Sequence, residues 1–361
     1  MFTPGIGFSK FTIQTAENIG STYKTITINK TYVPSTQTNY VLKLDASILG
    51  SDFFTKLAIG GSPRFTNSTG TTKLPFEKIF LNTGTSKGYY NVLVPTVNGT
   101  GESSSTSIRV YYENSLSDYP VNYSYGRNAV WANDSYKCVQ HLHTTPDQLQ
   151  VNSVGNSSYD MTGLGSLTSS DVITAYYGGG NAHLYDNTGQ GVKVSFCDIS
   201  AYPFTIGVVY KNPTDPGNGG YIAGISDTTS SQSIYGFNKI YIKTPTLNIT
   251  NGANGLTGGA TTGGNINNTN WHFIVAVYSS ATSRTIYLNN DTPVTTTSNY
   301  AFSGNYNSTF VSYADLSSDV IYSNSGGIAA QDFFLMGSAM TADRITTMYN
   351  NYTNGSFFTI T

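Results

Sequence analysis

The sequence predicts an all-β protein that is built from two antiparallel β-sandwich domains and carries one short helix near the C-terminus. Three observations predict this class. Short runs of β-branched and aromatic residues alternate with polar ones, clusters of Gly, Asn, Ser and Pro separate those runs, and helical periodicity is confined to one segment. Regular short strands between such turns are typical of sandwiches and barrels.

The strand pattern recurs in both halves of the chain. It covers residues 23–28, 40–44 and 108–112 in the first half, and residues 191–196, 204–210, 271–278 and 285–288 in the second half. A strand-like segment closes the chain at 357–360. Between the later strands, the Gly/Asn/Thr-rich tract 244–270 predicts loops over one sheet face.

One helix is predicted close to the C-terminus. Thr341 is a suitable N-cap residue, and Asp343 lies in the first turn. Apolar side chains then follow at helical spacing, at Ile345, Met348 and Tyr349.

Composition shifts divide the chain into four parts. We expect an N-terminal arm at 1–20, a β-sandwich domain at 21–145, a linker or long loop at 146–180, and a second β domain at 181–361. The third part is rich in Gly and poor in large aliphatic residues. The arm holds apolar residues that predict either an extra edge strand or a segment that docks on a neighbouring subunit of a homo-oligomer: Phe2, Ile6, Phe8, Phe11 and Ile13.

Charge excludes some partners. Charged residues make up 11% of the chain and the net charge is −2, so there is no basic stripe to bind nucleic acid. No apolar stretch is as long as the about 18 to 20 residues that a membrane-spanning helix needs. The start of the chain lacks a basic segment followed by an apolar one, so we expect no secretory signal there.

The second half resembles the laminin-G-like, concanavalin-A-type jelly rolls. The residues that carry the resemblance are His183–Val192, Pro203–Ile206, Asn270–Tyr278, Ile286–Asn290 and Ala339–Ile345. Asn290 stands where that family usually has Gly. The resemblance implies a jelly roll with Phe204 and Trp271 in its core. Domains of this kind bind sugars or proteins or serve as structural units, so the fold alone implies no single activity.

The first half resembles, over about residues 20–160, the uncharacterised β domain that often precedes such jelly rolls in bacterial and archaeal surface proteins. The first strand at 23–28 and the pair Val130–Trp131, followed by residues 139–143, carry this resemblance.

The sequence predicts that the chain is not an enzyme. Glycoside hydrolysis needs two carboxylates roughly 5 to 10 Å apart. The four Glu residues all lie in the first half, at Glu17, Glu77, Glu102 and Glu113. No nucleophile elbow or phosphate-binding loop is present.

Metal sites are weakly indicated. His141 and His143 would share one strand face and bind a metal only with further ligands; the alternative is a structural role. Jelly rolls of this type often hold calcium at a loop edge, which makes Asp186, Asn187 and Asp215 candidates, although plain turn chemistry also explains them. No other cofactor is expected. Cys138 and Cys197 form one bridge or stay free thiols.

Sugar binding would use exposed aromatic rings surrounded by amide groups. Tyr176 and Tyr177, next to three glycines, fit this description. The amide-rich segment before Trp271 also fits, with candidates at Asn265, Asn267, Asn268 and Asn270.

These observations together predict a non-enzymatic virion surface protein of a bacterial or archaeal virus: a capsid decoration, spike or tail-fibre subunit. We expect it to be a homo-oligomer that contacts other virion subunits and attaches to host-surface glycans like a lectin. The location would be the virion surface or the extracellular space. A fragment of a prokaryotic cell-surface adhesin is the alternative, and a carbohydrate-active enzyme is the third.

Overall fold

The structure is a computed structural model of the chain. It describes residues 17–58, 61–113, 116–186, 189–211, 220–226, 238–243, 246–250, 260–265, 269–299, 306–312 and 328–361. The apolar positions of the predicted arm, from Phe2 to Ile13, lie outside the described residues.

The described chain is made mostly of β-strands, as the sequence predicts. Strands of the first part are β1 (Tyr23–Ile28), β2 (Gln37–Asp45), β3 (Arg64–Asn67), β4 (Lys73–Leu74), β5 (Phe76–Asn82), β6 (Lys87–Val97), β7 (Thr106–Tyr111), β8 (Tyr136–Gln140), β9 (Thr162–Leu164) and β10 (Val172–Thr174). They continue as β11 (Asn181–Tyr185), β12 (Gly191–Val194), β13 (Phe204–Lys211), β14 (Gly220–Ser226), β15 (Asn238–Lys243), β16 (Thr246–Thr250) and β17 (Ala260–Asn265). The last are β18 (Trp271–Ser280), β19 (Ser283–Leu288), β20 (Val294–Thr296), β21 (Ser308–Val311), β22 (Ile328–Met336) and β23 (Phe358–Ile360).

Within the described ranges the α-helices are α1 (Ser51–Leu57), α2 (Arg127–Val130) and α3 (Ala342–Thr353), with short 3-10 turns at Lys30–Tyr32, Ala46–Leu49 and Ser157–Tyr159. The predicted helix is α3. Its N-cap is Thr341, whose side chain accepts a hydrogen bond from the backbone N–H of Arg344. Ile345 and Met348 are buried on its inner face. The sequence did not predict α1 and α2.

The described strands form four antiparallel sheets. Sheet 1 has the order β23-β1-β7-β3-β4, and sheet 2 the order β2-β6-β5. Sheet 3 has the order β10-β11-β22-β13-β18-β19-β20, with β8 paired to the second part of β22. Sheet 4 has the order β17-β16-β15-β14-β21-β12-β9.

Sheet 3 is buried on both faces, because its alternate side chains enter two different cores. Val209 and Phe273 pair across β13 and β18 and join the first core, with residues of sheets 1 and 2. Val208 and Ile274, one position along each strand, join the second core, with residues of sheet 4. Strands covered on both faces lose the apolar/polar alternation of a half-exposed strand.

Hydrogen bonds and side-chain packing connect the parts of the chain before and after the predicted linker at 146–180. Strand β8 pairs with β22, and the C-terminal strand β23 pairs with β1 through Ile26 and Ile360. The first core combines side chains of the first half with Phe334 and Ile345 of the second. The division into two domains stays a prediction.

The predicted linker at 146–180 is packed against the rest of the protein. It contains β9, β10 and a 3-10 turn, and Tyr159 and Met161 are fully buried. In its glycine run, Gly178 has a φ of +74°, and a Cβ there would collide with the Cβ of Tyr89. The run therefore permits close approach to β6.

Three further expectations can be compared with the structure. Phe204 is fully buried, as predicted, and its ring stacks on Tyr278. Trp271 is only partly buried, which corrects the prediction that it lies in the core. The tract 244–270 contains β16 and β17 and is therefore not loop throughout.

Candidate functional site

An aromatic cleft lies where β18, α3 and the turn after β10 meet. Its cavity of about 220 Å³ is lined by Tyr176, Trp271 and Tyr349, with Asn270 and Asn289 among the polar groups. The ring centroids of Tyr176 and Trp271 are 6.1 Å apart, and their planes are tilted by 34°. Tyr176 is 39% exposed. The cleft thus presents two accessible rings with amide groups beside them.

A buried glutamine fixes the turn that carries Tyr176. Gln331, on β22, accepts hydrogen bonds from the backbone N–H groups of Tyr176 at 2.9 Å and Tyr177 at 3.3 Å. Its amide donates to the carbonyl of Tyr177 at 3.1 Å. Because Gln331 is 1% exposed and lies on a central strand, the position of the Tyr176 ring is set by the core of the protein.

Strand pairing fixes the other ring. Trp271 begins β18 and pairs with Lys211 of β13. The Lys211 ammonium lies 6.0 Å from the Trp271 ring centroid, within the usual range of a cation–π contact.

The floor of the cleft is polar and uncharged. Burial lowers the pKa of His272, so its ring is neutral at pH 7. Nδ1 of that neutral ring accepts from Nδ2 of Asn289 at 3.0 Å, and Oδ1 of Asn289 accepts from the Phe273 N–H at 2.9 Å. Burial first, and then Tyr349, which lines the same cavity, raise the pKa of Tyr176.

A second cavity of about 340 Å³ adjoins the cleft and shares Tyr176, Tyr352 and Thr353 with it. Asp45 and the exposed side chain of Ile48 also line it. Tyr176 therefore stands between two concavities, which together form a longer groove.

The structure brings together only some of the predicted sugar-binding residues. Tyr176 lies in the cleft. Tyr177 is buried instead, and its hydroxyl donates to the carbonyl of Lys43 at 2.7 Å and accepts from the N–H of Asp45 at 3.0 Å. Tyr177 is thus part of the core and not an exposed platform.

The side chains of three further sugar-binding candidates are not described by the structure. Asn265 ends β17, and its side chain is not among those described; Asn267 and Asn268 lie outside the described residues. Sequence reasoning missed Tyr349 as a site residue, because its helical spacing indicates only a buried stripe.

Of the three calcium candidates, the structure describes one. Asp186 is exposed after β11, whereas Asn187 and Asp215 lie outside the described residues. Across the described ranges, no group of three or more His, Cys, Asp or Glu residues could hold a metal ion.

Cys138 and Cys197 are free thiols. The helices in the described part of the chain are too short or too polar to cross a membrane.

A buried charge cluster lies beneath a second concave surface. This cluster consists of Lys43, Glu77, His141 and Asp332, whose side chains are 4% to 5% exposed. Above it, a cavity of about 290 Å³ is lined by Glu77, His141 and His143.

His141 links the two carboxylates of the cluster. Its Nδ1 lies 2.5 Å from Oδ1 of Asp332, and its Nε2 lies 3.1 Å from Oε2 of Glu77. Burial would lower the pKa of His141, but the two carboxylates outweigh it and raise that pKa. Because the carboxylates lie on opposite sides of the ring, they do not converge on one ligand.

Other donors saturate Glu77. Ser153 Oγ donates to Oε1 at 2.6 Å, and Trp131 Nε1 donates to Oε2 at 2.7 Å. Burial would raise the pKa of Glu77, but His141 and these donors outweigh it and lower that pKa. Sequence reasoning missed this cluster, because its four members come from four separate strands or strand ends.

No protein family model matches this chain, and no curated protein matches it in sequence. Among solved structures, it is similar to the Trypanosoma rangeli sialidase in complex with 2,3-difluorosialic acid, at 11% identity over 60% of this chain and 32% of that one, with a TM-score of 0.44. It is also similar to the binding domain of botulinum neurotoxin DC in complex with SialylT, at 12% identity over 62% and 52%, with a TM-score of 0.44. The binding domain of botulinum neurotoxin serotype C1 is 15% identical over 61% and 52%, with a TM-score of 0.44. The chain thus spans about a third to a half of the length of these structures.

Proposed function

We propose that this chain is a non-enzymatic, lectin-like surface protein that attaches to glycans through the aromatic cleft. The single observation that carries the proposal is the convergence of Tyr176 and Trp271 at the mouth of a cavity with amide groups. Sugar rings offer C–H faces that pack on aromatic rings, and hydroxyls that bond to amides.

The cleft and the adjoining cavity together favour an oligosaccharide over a single sugar. The cleft's volume of about 220 Å³ is below the roughly 300 to 1,000 Å³ of pockets for drug-sized ligands, so it suits a single ring. The adjoining cavity, which shares Tyr176, accepts the next ring of the same chain.

A shallow site of this size binds weakly, and repetition compensates for this. Linked copies raise apparent affinity by about 10² to 10⁴ without new contacts. We therefore propose a homo-oligomer on a virion surface, as a capsid decoration, spike or tail-fibre subunit of a bacterial or archaeal virus. Low charge with many Tyr, Thr, Asn and Gly residues supports an extracellular location. A prokaryotic cell-surface adhesin is the alternative that this composition also fits.

The experiment has two arms. A glycan array probed with the full chain tests binding, and an assay of reducing-sugar release from the array hits tests hydrolysis. The proposal expects binding to a set of related oligosaccharides without release. Release would assign a hydrolase, and the absence of any array signal from an oligomeric sample would contradict glycan attachment. Capsid or tail genes beside the coding sequence, as opposed to secretion genes, would separate the viral from the cellular reading.

A further inference from the structure

Lys43 and Asp332 form a close pair in the first core. Lys43 lies on β2 of sheet 2 and Asp332 on β22 of sheet 3, and the ammonium nitrogen is 3.9 Å from Oδ2 of the carboxylate. Their side chains are 5% and 4% exposed. Water therefore has little access to either group.

Three aromatic rings enclose the ammonium group. Its nitrogen lies 5.1 Å from the Trp131 ring centroid, 5.6 Å from that of Tyr89 and 5.8 Å from that of Tyr352. Burial lowers the pKa of Lys43, although Asp332 and Glu77 oppose this. At a given pH, a larger fraction of Lys43 is therefore the neutral, nucleophilic amine than of an exposed lysine.

A local irregularity directs Asp332 towards this enclosure. Val208 pairs with Phe333 and Val209 with Gln331, so Asp332 is left out of the ladder as a bulge. Its φ is +52°, which is unfavourable for a residue other than glycine. Such bulges re-aim a side chain, and here the carboxylate points into the core.

Proton donors surround that carboxylate. His141 Nδ1 lies 2.5 Å from Oδ1, and the hydroxyls of Tyr89 and Tyr352 each donate to Oδ2 at 2.7 Å. Glu77 on the other side of the ring also favours the protonated form of His141 and helps to raise its pKa. Burial would raise the pKa of Asp332, but the charges of Lys43 and His141 outweigh it and lower that pKa. A proton from His141 is therefore needed before the carboxyl carbon accepts a nucleophile.

Burying such a pair as ions has a large desolvation penalty, which mutual attraction only partly offsets. Condensation to an amide removes both charges from the core. It also places a covalent bond between sheets 2 and 3, which would restrict the unfolded chain as a long-loop cross-link does.

We propose that Lys43 and Asp332 condense to an isopeptide bond. The ammonium first loses a proton to the surrounding network, and the free amine attacks the Asp332 carboxyl carbon as His141 protonates Oδ1. The C–N bond forms, the attacking nitrogen passes its second proton to Oδ1, the C–O bond to that oxygen breaks, and one water leaves. The first proton that the ammonium lost returns through the network to His141, so atoms and charge balance without an oxidant. His141 is the catalytic acid, and Glu77 is a positioning residue.

The test is peptide mapping of the purified full chain by tandem mass spectrometry after denaturation. The expected product is a branched peptide that joins the segments containing Lys43 and Asp332, lighter by one water than the two separate peptides. Recovery of both segments as separate linear peptides from folded protein would overturn the proposal. This measurement needs no variant.

Matched variants examine the chemistry. Lys43→Arg keeps the positive charge and should give only linear peptides. Asp332→Asn should still link but lose ammonia in place of water, so its branched peptide has the same mass as that of the original chain. After cell-free synthesis, Glu77→Gln should form the link about 10²-fold more slowly, with an altered pH profile. An unchanged rate and profile in Glu77→Gln would remove Glu77 from the mechanism, and a branched peptide at residue 43 in Lys43→Arg would contradict the assignment of the bond.

Discussion

The rings of Phe204 and Tyr278 stack face to face in the second core, with centroids 4.4 Å apart and planes 11° from parallel. The two residues are direct partners across β13 and β18, and both are fully buried. Stacking at this pair fixes the register of the two central strands of sheet 3.

Phe204→Ala should lower the free energy of unfolding by about 3 to 5 kcal/mol, because it leaves a cavity in a closed core. Trp271→Ala is the matched change of another large aromatic residue in the same sheet. It should have a clearly smaller effect, since Trp271 is partly exposed. Urea unfolding followed by circular dichroism measures both, and equal effects would show that the Trp271 ring is as closely packed as Phe204.

Stability should fall in acid partly through His183. Its Nε2–H donates to the Thr144 carbonyl at 3.0 Å, and Nδ1 accepts from the Tyr185 hydroxyl at 3.1 Å. Burial lowers the pKa of His183 to about 3. The unfolded chain therefore takes up this proton at higher pH than the folded one, and stability decreases as the pH falls from about 6.5, by about 1.4 kcal/mol per pH unit.

His183→Gln keeps a donor and an acceptor without the titration. The free energy of unfolding should then depend less steeply on pH between about 6.5 and 4, when each protein is unfolded with urea at a series of pH values. Parallel curves for the two proteins would show that the pKa of His183 is the same in the folded and unfolded states, which would contradict the prediction.

The cap of α3 offers a smaller and more local change. Oγ1 of Thr341 accepts from the Arg344 N–H at 3.3 Å. Thr341→Ala should destabilise the protein by about 1 kcal/mol, whereas Thr341→Ser should restore most of this. Thermal unfolding of the three proteins measures the effect, and a serine variant as unstable as the alanine variant would show that the hydroxyl is not the cause.

Limited proteolysis tests the predicted domain division. Two domains predict cleavage within 146–180 and two resistant pieces. Because β8 pairs with β22 and β23 pairs with β1, we expect such pieces to stay associated on a sizing column until they are denatured. A set of cuts concentrated within 200–340 would contradict the division, and pieces that separate without denaturant would contradict the strand pairing across it.

Local patterns predicted much of this fold. Residues 23–28 correspond to β1 without error, and the cap and apolar spacing around Thr341 located α3. Both features depend on residues that are close together in the chain. A hydrophobic period of two for a strand, or of 3.6 for a helix, therefore reveals them.

Long-range contacts are what the sequence did not reveal. The pairing of Ile26 with Ile360 joins the two ends of the described chain, and no local pattern encodes it. The same holds for the site. Tyr176 was predicted from the three glycines that follow Tyr177. Its ring meets Trp271 only because buried Gln331 holds the turn that carries Tyr176.

The buried charge cluster is a stronger case of the same limit. Glu77 and Lys43 each lie in strands whose pattern predicts nothing unusual at those positions. The positive φ of Asp332 comes from a bulge in the pairing of β13 with β22, which is a property of the sheet and not of the residue.

Glycan attachment through the aromatic cleft is the central claim, and a paired substitution tests it most directly. Tyr176→Ala removes a ring that is 39% exposed in the cleft. Tyr23→Ala removes one that is 42% exposed on sheet 1 and lines neither the cleft nor the adjoining cavity. Both proteins should unfold at nearly the same urea concentration as the original chain.

The measurement is the dissociation constant of the best oligosaccharide from the array, determined by isothermal titration calorimetry on all three proteins. We expect Tyr176→Ala to weaken binding about tenfold or more, or about 1.4 kcal/mol, from the loss of one stacking ring. Tyr23→Ala should leave the dissociation constant unchanged. Equal affinity of Tyr176→Ala and the original chain, or an equal loss in Tyr23→Ala, would contradict the aromatic cleft as the attachment site.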